Sequence, residues 1–465
     1  MPAALRSLGC RLRFASGLRL ASYAGDRGTG NPSLIRCLPF NIEVLIAGKK
    51  DSVNDMPHGP MPREGNGEDR GTVRARDSLP ATVRALGWTS FLTDLSSEAI
   101  YPLLPAFVRS LGGSSIEIGL IDGLANAVAA VVRLPSGALS DAVGRRPLVL
   151  FGYTLSALVR PLMAFVASPL GVILVRAADR FGKGIRSAPR DALVADLTDP
   201  AIRGRAFGHI RALDHAGAAV GPLVAMLFLL VFPGRERMLF LLAILPGLVT
   251  LAVIWRFVRE PPARTPAAIR TALAPGLSGP QLTLLGSVAV WSLGAASEQF
   301  LLVRAGDLGV PPAWIPLVWL GMSIAKSGSA AWVGPLVDHW SPRRALAAAW
   351  FAFAAAYAGL AASGEIFTAL ALMGLVGVAY GLAEPAERAL VARLAPEGRH
   401  GGAFGWYALV QGLMALPAGL LTGWLWQRGP DGPASAFAVT ATLAVVAAAA
   451  VQFGGRSHAD RPPAG

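Results

Sequence analysis

The stretch GALSDAVGRRPLVL, residues 137–150, places a carboxylate and two arginines between two long apolar runs. The runs around it, 116–139 and 147–166, are each long enough to cross the hydrocarbon core of a bilayer as a helix. The stretch therefore predicts two membrane helices that are joined by a short charged connection.

The same alternation of long apolar runs and short polar breaks continues through the chain. Of its 465 residues, 53% are hydrophobic and 15% are charged, whereas soluble domains carry about a quarter charged residues. About twelve runs are long enough to span a membrane, which excludes a water-soluble protein. Their approximate bounds are 86–108, 116–139, 147–166, 170–195, 207–232, 238–258, 281–303, 314–337, 345–362, 366–394, 404–426 and 434–453.

The first six runs are related in sequence to the last six. The matching pairs are GALSD at 137–141 with GPLVD at 334–338, Gly184 with Gly381, ALVA at 192–195 with ALVA at 389–392, and AFG at 206–208 with AFG at 403–405. The offset is always 197 residues (334−137, 381−184, 389−192 and 403−206). Several matches at one offset indicate a duplicated six-helix unit, and paired repeats around a central site are a transporter architecture.

We therefore expect an all-α integral membrane protein with twelve transmembrane helices in two pseudo-symmetric six-helix halves. The expected division is 1–80 as a disordered or wrongly annotated N-terminal extension, 81–258 as the N-terminal half, 259–280 as a cytoplasmic loop between the halves, 281–455 as the C-terminal half, and 456–465 as a tail. The start of the extension is rich in arginine, so a transit peptide is an alternative for it.

The net charge of +13 does not indicate a nucleic-acid partner. The arginines lie mainly in the short breaks after the second, fourth, sixth, eighth and tenth runs, without a basic domain or interleaved aromatic residues. Cytoplasmic connections of membrane proteins are enriched in lysine and arginine. We therefore expect these breaks and both termini to lie in the cytoplasm, with the lipid bilayer as a partner.

The connection at 137–150 has the composition of a charge-paired latch between conformations. Gly137 would let two helices approach closely. Asp141 is expected at a helix end with Arg145 and Arg146 a few residues on, so that a charge-assisted pair can form. The alternative is a simple anchor of positive charge on the cytoplasmic side.

This connection resembles the signature loop of the major facilitator superfamily, Gly-x-Leu-x-Asp-x-x-Gly-Arg-Arg. The matching residues are Gly137, Leu139, Asp141, Gly144, Arg145 and Arg146. The second copy, GPLVDHWSPRR, keeps Gly334, Leu336, Asp338 and Arg343 but has Ser341 at the position of Gly144. The resemblance covers about residues 86 to 453. It implies the fold of that superfamily, alternating access, and a bacterial inner-membrane location.

The fourth run carries several charges in an otherwise apolar segment. Arg176, Arg180 and Lys183 fall on one helical face, and Asp179 can pair with Lys183 one turn on. Charged groups at membrane depth face a wet cavity or a partner, although those near the interface can extend to the surface. The segment RFGKG, 180–184, resembles the superfamily's fourth-helix motif, Arg-x-x-Gln-Gly, with Lys183 in place of glutamine.

The fifth run contains Gly208, Gly217, Gly221 and Pro222. Glycines permit close helix contact, and proline bends a helix. The spacing resembles the superfamily's exporter motif, although the last two glycines of that motif are replaced here. The resemblance implies a drug or small-molecule exporter that works by antiport.

Two carboxylates, Asp94 and Glu98, lie one turn apart inside the first run. In a low-dielectric cavity, two neighbouring carboxylates cannot both ionise cheaply. Since the first and fourth helices line the central cavity in this superfamily, we expect Glu98 or Asp94 to exchange a proton as Arg176 or Arg180 engages it. A static charge network that fixes helix register is the alternative.

The fifth run adds Arg211, Asp214 and His215 to the candidate coupling residues. Arg211 can pair with Asp214 three residues on. His215 could titrate near neutral pH, or it could make a hydrogen bond that sets helix register.

Further candidates for the wall of a substrate cavity are Asp122, Trp291, Glu298, Trp319, Lys326 and Glu384. The tryptophans could equally pack or anchor the protein at the membrane interface. The sequence has no Walker phosphate loop, and its histidines are spread over separate elements. Neither ATP, a metal ion nor another cofactor is expected, and the chain is not expected to be an enzyme.

The expected function is secondary transport, in which a monomer exports a small-molecule substrate in exchange for protons. One alternative is a proton- or sodium-coupled importer of a small organic anion, which the cations of the fourth run would attract. An alternative of another class is a transport-inactive membrane sensor or scaffold.

Overall fold

The computed structural model describes residues 34–37, 42–45, 79–199, 202–260, 277–295, 298–339, 341–395 and 400–453. Within the first 73 residues it describes one antiparallel pair of strands, β1 (Leu34–Cys37) and β2 (Ile42–Leu45), in which Leu34 lies opposite Leu45. Most of the expected N-terminal extension, most of the expected loop at 259–280, and the expected tail lie outside the described residues.

The described residues from 79 onward form twelve helices, as predicted. The first six are α1 (Ala81–Ile100, then a 3₁₀ turn at Tyr101–Leu103 and Leu104–Ser110), α2 (Ser115–Val143), α3 (Arg145–Val159, then a 3₁₀ helix at Arg160–Phe165), α4 (Pro169–Leu197), α5 (Arg203–Val231) and α6 (Glu236–Leu242 and Ile244–Phe257). The last six are α7 (Gly279–Gly294 and Glu298–Asp307), α8 (Ile315–His339), α9 (Pro342–Ala362), α10 (Ile366–Leu394), α11 (His400–Trp426) and α12 (Gly432–Phe453).

Eight of these helices are long and apolar enough to cross a membrane by length and composition: α2, α3, α5, α6, α9, α10, α11 and α12. Helices α1 and α4 fall outside this set because charged residues interrupt their apolar sequence. Helix α7 falls outside it because it consists of two shorter segments. The charges that exclude α1 and α4 include those that the sequence assigns to a functional site.

A proline shapes the middle of the first helix. Pro102 has no backbone N–H to donate, and the chain tightens into the 3₁₀ turn at Tyr101–Leu103 before the helix resumes at Leu104. Tyr101 is buried at this turn, where its hydroxyl reaches α2 and its ring contacts α8.

Polar contacts between helix ends show which ends lie together. At one end, the contacts are Thr82 Oγ1 to the Phe257 carbonyl (3.1 Å), Arg145 Nε to Asp196 Oδ2 (2.6 Å) and Arg343 to the Val451 carbonyl (2.7 Å). At the other end, they are Arg109 to Asp307 (2.6 Å), Arg237 to the Ala164 carbonyl (2.7 Å) and Arg304 to the Ser363 carbonyl (2.7 Å). We call these the Arg145 end and the Arg109 end.

Equivalent helices pack in the same way in the two halves. A Cβ atom on Gly184 of α4 would lie 2.8 Å from the carbonyl oxygen of Ala129 in α2. A Cβ on its counterpart, Gly381 of α10, would lie 2.2 Å from the carbonyl oxygen of Lys326 in α8. In both halves the fourth helix therefore places its backbone directly on the second, as the 197-residue offset predicts (381−184).

Close backbone contact between α2 and α11 joins the two halves at the Arg109 end. A Cβ on Gly119 would lie 2.0 Å from the Gly419 carbonyl oxygen, and a Cβ on Gly419 would lie 2.1 Å from that of Gly119. A Cβ on Gly423 would lie 2.5 Å from the Ser115 carbonyl oxygen. Because α2 begins and α11 ends here, the halves are closed against each other at the Arg109 end.

The close approach expected at Gly137 is wrong. A Cβ there would lie 3.6 Å from the Cβ of Ala188, which is an ordinary van der Waals contact. Helix α2 makes its closest contacts at glycines near its first residues, at Ala129 against Gly184, and at Ala130 against Gly412, not beside the charged connection. Gly137 is therefore not needed to bring two backbones together.

Candidate functional site

A central cavity of about 760 Å³ lies between α1 and α5 of the first half and α7, α8 and α10 of the second. Its polar wall consists of Glu98, Arg211, His215, Glu298, Trp319, Ser323, Ser327, Lys326, Glu384 and Arg388. The structure therefore brings together expected coupling residues from the first half and expected cavity residues from the second.

Charged side chains mark the opening of the central cavity. Arg211 on α5 has 56% of its side chain exposed, and Glu384 and Arg388 on α10 pair at 2.7 Å with 48% and 51% exposed. These residues lie toward the Arg145 end because α5 begins and α10 ends there. Since the Arg109 end is closed by backbone contacts, the cavity opens toward the Arg145 end.

Glu98 connects the two halves at the inner part of the central cavity. Its Oε2 atom accepts a hydrogen bond from the indole Nε1 of Trp319 in α8, at 2.9 Å. The Trp319 ring lies against the ring of Tyr101, with centroids 4.8 Å apart. The expected contact between Glu98 and an arginine of α4 is replaced by this indole. Asp94 lies one turn earlier on α1, outside the wall of this cavity.

A second cavity of about 220 Å³ adjoins the first and shares Glu298 and Lys326 with it. Its other polar lining residues are Tyr101, Asp122, Asn126, Trp291, Ser292, Tyr380 and Gln411. The Tyr101 hydroxyl donates to Asp122 Oδ2 at 2.6 Å. Trp291 both lines this cavity and stacks on Trp350, with centroids 5.6 Å apart, so its two expected roles are combined.

A third cavity of about 380 Å³ lies between α2, α4 and α11. It is lined by Arg133, Arg180, Lys183, the two amides Asn126 and Gln411, and small residues. The two amides also line the second cavity, so that the three cavities adjoin one another in a series.

Buried charges behind the cavities form a network around Asp179. Its carboxylate contacts Arg160 Nε at 2.9 Å and Arg176 at 3.6 Å, and all three residues are buried. Arg160 also donates to the Thr93 carbonyl oxygen at 2.8 Å. The expected pairing of Asp179 with Lys183 is therefore wrong, because arginines of α3 and of the preceding turn occupy the carboxylate.

Arg176 is held by the ring of a tyrosine as well as by a carboxylate. Its guanidinium carbon lies 4.9 Å from the centroid of the Tyr101 ring, within the range of a cation–π contact. Arg176 thus contacts Tyr101 and Asp179, and neither Asp94 nor Glu98 is within salt-bridge distance of it among the described residues. Arg176 therefore belongs to the buried network, in which its Nε and Nη2 atoms have no hydrogen-bond partner in the described part of the chain.

The expected pair on α5 is present. Arg211 lies 3.9 Å from Asp214, which also lies 4.0 Å from Arg190 of α4. Arg190 in turn donates to the Ser90 hydroxyl of α1 at 3.0 Å. This cluster connects α1, α4 and α5 toward the Arg145 end. His215 lies apart from it on the wall of the central cavity.

Two glycines of the α5 motif place that helix directly on α1. A Cβ on Gly217 would lie 2.4 Å from the Phe91 carbonyl oxygen, and a Cβ on Gly221 would lie 2.7 Å from that of Leu95. Gly208 has no such neighbour within 4 Å, so the first glycine of the motif makes no close contact. Pro222 is buried within the helix.

The charged connection between α2 and α3 is tied to α4 and to the end of α6. Arg145 lies 3.3 Å from Asp141 and 2.6 Å from Asp196 of α4. The Glu260 carboxylate accepts the backbone N–H groups of Arg145 and Arg146 at 2.7 and 2.6 Å, and so caps α3. Gly144 turns the chain there with a φ of 93°.

The second copy of this connection is described only in part. Arg343 is buried and donates to the Val451 carbonyl oxygen of α12 at 2.7 Å. Gly334 and Asp338 belong to α8, in the segment 331–339 whose side chains lie outside the described part of the chain.

Replacing Glu260 by alanine is expected to destabilise the protein by about 1 kcal/mol, because two N–H groups at the start of α3 lose their acceptor. The measurement is the thermal unfolding of purified protein in detergent. Glu260→Gln keeps one carbonyl acceptor and should lose less. An unchanged melting temperature for Glu260→Ala would contradict the capping role.

Sequence reasoning missed several residues of the site: Tyr101, Asn126, Gln411 and Glu260. Asn126 could have been predicted from the sequence, since it follows Asp122 by one turn on an otherwise apolar helix. The capping role of Glu260 could not have been predicted, because its hydrogen-bond partners lie 114 and 115 residues away in the chain.

Comparison with known proteins matches the chain to the Major Facilitator Superfamily over residues 86–329 and 283–464. The chain is 31% identical over 363 residues to an uncharacterized MFS-type transporter of Methanocaldococcus jannaschii, covering 76% of this chain and 90% of that protein. It is 26% identical over 375 residues to the multidrug resistance protein MdtH of Photorhabdus laumondii, with 76% and 90% covered.

Solved structures share the fold. A bacterial homolog to the human lysosomal transporter Spinster, in an inward-facing and unoccupied conformation, superposes with a TM-score of 0.66 at 16% identity, covering 84% of this chain and 97% of that one. The fold, the repeated halves and the match over most of the sequence agree. The chain therefore belongs to the Major Facilitator Superfamily and is a multi-pass secondary transporter rather than an enzyme.

Proposed function

We propose that this transporter exports a small molecule in exchange for protons and that Glu98 carries the proton. The bond between Glu98 and Trp319 supports this role above all, since its two partners belong to different halves of the protein. Any motion that separates α1 from α8 changes the surroundings of this carboxylate. A carboxylate that loses a donor and enters an apolar wall binds a proton more readily.

In the proposed transport cycle, the Arg145 end and the Arg109 end of the helix bundle open in turn. With the Arg109 end closed, the central cavity takes its cargo from the Arg145 end, which the arginine distribution assigns to the cytoplasm. Opening of the Arg109 end separates the halves, breaks the Trp319 bond and lets Glu98 take a proton from outside. Return to the first state restores the indole donor and favours release of that proton inside.

Two observations support export over uptake. Gly217 and Gly221 of the exporter-like motif bring the backbone of α5 into contact with α1, and the contact at Gly221 lies next to Glu98. The relative from Photorhabdus laumondii carries the name of a multidrug resistance protein.

The test is a panel of toxic compounds given to an efflux-deficient bacterial host that expresses the chain. We expect Glu98→Gln to abolish protection, because a neutral amide cannot exchange a proton. Trp319→Phe keeps the ring but removes the donor and should lower protection only in part. Glu236→Gln changes a carboxylate at the start of α6, away from the cavities, and should protect fully.

The coupling is checked in proteoliposomes with a compound that the parent chain exports. An imposed proton gradient should drive its transport by the parent and by Glu236→Gln but not by Glu98→Gln. Gradient-driven transport by Glu98→Gln at the parent rate would eliminate Glu98 as the proton carrier.

The third cavity favours a second candidate function, the proton- or sodium-coupled import of a small organic anion. Its cations Arg133, Arg180 and Lys183 would attract such a substrate. The direction of gradient-driven flux distinguishes the two functions, since an importer accumulates its substrate together with the coupling ion.

A further inference from the structure

The central and third cavities differ in the charge of the residues that line them. The central cavity has carboxylates, Glu98, Glu298 and Glu384, that balance its cations, Arg211, Lys326 and Arg388. The third cavity has three cations and, among the described residues that line it, no carboxylate. One end of the series is therefore electrically balanced, whereas the other is positive.

The two inner cations of the third cavity, Arg180 and Lys183, have no carboxylate in direct contact among the described residues. The carboxylates that act on them, chiefly Asp179 on Arg180 and Asp94 on Lys183, do so from beyond salt-bridge distance. Arg133 lies 4.0 Å from Asp191, which is not part of the cavity wall. Neither Arg180 nor Lys183 has a carboxylate oxygen within 4.0 Å in the described part of the chain. The Nε atom of Arg180 is buried and has no hydrogen-bond partner.

Cations at membrane depth that lack a carboxylate in direct contact are costly, and such groups commonly mark the path of a substrate or ion. The wall around them leaves space, because Ala129, Gly184 and Gly412 contribute little or no side chain. Asn126 adds an amide with two N–H donors where the third cavity meets the second, and Gln411 adds one more, because its Nε2 already donates to Glu387 Oε2 at 3.1 Å. Cations with amide donors form a suitable site for a carboxylate, sulfonate or phosphate.

We propose that the third cavity binds the anionic group of the cargo, with Arg180 and Lys183 as its direct ligands. The body of the cargo extends through the second cavity toward Trp319 and Met322 in the central one. The cargo is then a small amphipathic organic anion. This assignment rests on the proposed transport function and adds the class of substrate to it.

The charge of the third cavity is measured with cysteine-directed reagents, without knowledge of the cargo. In a full-length chain with Cys10→Ser and Cys37→Ser, a single cysteine is placed in the third cavity by Ser187→Cys or in the central cavity by Ser323→Cys. Each is treated with sulfonatoethyl methanethiosulfonate, an anion, and with trimethylammonioethyl methanethiosulfonate, a cation of similar size. The ratio of the two rates reports the local preference for negative charge.

We expect this ratio to be at least about tenfold higher at Ser187→Cys than at Ser323→Cys, because unbalanced cations act across a low dielectric. Lys183→Met should lower the ratio at Ser187→Cys, and Lys183→Arg should keep it. Arg256→Gln removes an equal charge far from the cavity and should have no effect. Equal ratios at the two sites, or no response to Lys183→Met, would overturn the anion site.

The substrate class is tested on the compounds that the parent chain exports. They should be anions, and Lys183→Met should abolish their export while Lys183→Arg retains it. A neutral or cationic cargo would overturn the proposal even though export itself stands. A high labelling ratio with no export of any compound would instead contradict the proposed function and leave the anion site in place.

Discussion

Replacing Gly119 by valine is expected to lower transport by about a hundredfold, since overpacking against a rigid neighbour costs about 3 kcal/mol at the upper end of the usual range and each 1.4 kcal/mol is about tenfold. A Cβ at this position would lie 2.0 Å from the Gly419 carbonyl oxygen, which belongs to the backbone of α11 and cannot turn aside. The Arg109 end would then be unable to close, and the cycle would stop with that end open.

Closure of the Arg109 end can be measured without a cargo. Arg109 and Asp307 form a salt bridge between the halves there, at 2.6 Å, so Arg109→Cys with Asp307→Cys places two thiols across the closed end. In a chain without the native cysteines, a bifunctional thiol reagent that spans the gap left by the arginine side chain should cross-link the two positions rapidly, and Gly119→Val should slow this reaction at least about tenfold.

The matched control is Gly286→Val in α7. This glycine is also inside a helix, but a Cβ there would meet no heavy atom within 4 Å. Transport and cross-linking should both stay near the parent values. If Gly119→Val cross-links as fast as Gly286→Val, the contact between α2 and α11 does not control closure.

Replacing Asp179 by alanine is expected to cost about 3–5 kcal/mol of stability, the range found when one partner of a buried ion pair is removed. Arg160 and Arg176 would keep their charges in a buried site with only 8% and 5% of their side chains exposed. Among the described residues, Arg160 would keep only the Thr93 carbonyl as a contact, and Arg176 would keep the Tyr101 ring, with the Asp122 carboxylate beyond salt-bridge distance.

The measurement is thermal or denaturant unfolding in detergent, beside Asp307→Asn as a control. Asp307 belongs to a salt bridge whose side chains are 40% and 30% exposed, and loss of such a pair should cost at most about 1 kcal/mol. Equal stabilities for Asp179→Ala and Asp307→Asn would show that the buried network does not hold α3 and α4 together.

Most of the helices could be predicted from the sequence because apolar length defines a membrane span, and eight of the described helices meet that criterion by themselves. Within them, pairs at helical spacing were also predictable, as Arg211 with Asp214 and Arg145 with Asp141 show. The repeat was predictable because both copies keep a glycine where the fourth helix of each half crosses the second, at Gly184 and Gly381.

Partners from different helices could not be predicted. Helical spacing predicts a salt bridge between Asp179 and Lys183, but the Asp179 carboxylate instead contacts Arg160 of α3. Glu98 was matched to α4 by analogy, whereas its donor, Trp319, is 221 residues away. Among 53 glycines, spacing could not distinguish Gly119, which touches another backbone, from Gly137, which does not.

The glycine contact between α2 and α11 has a consequence for how easily the transporter changes state. Burying a long polar side chain costs up to about 2 kcal/mol of rotamer entropy, whereas glycine has no rotamers to lose. Each closure at Gly119 and Gly419 therefore freezes few degrees of freedom, and each opening releases few. A difference in binding free energy of about 5.5 kcal/mol between two states reverses their populations from 1:99 to 99:1, and the glycine contact takes little of that free energy to order side chains. A closing surface that orders so few side chains therefore adds little entropic cost to either direction of the conformational change.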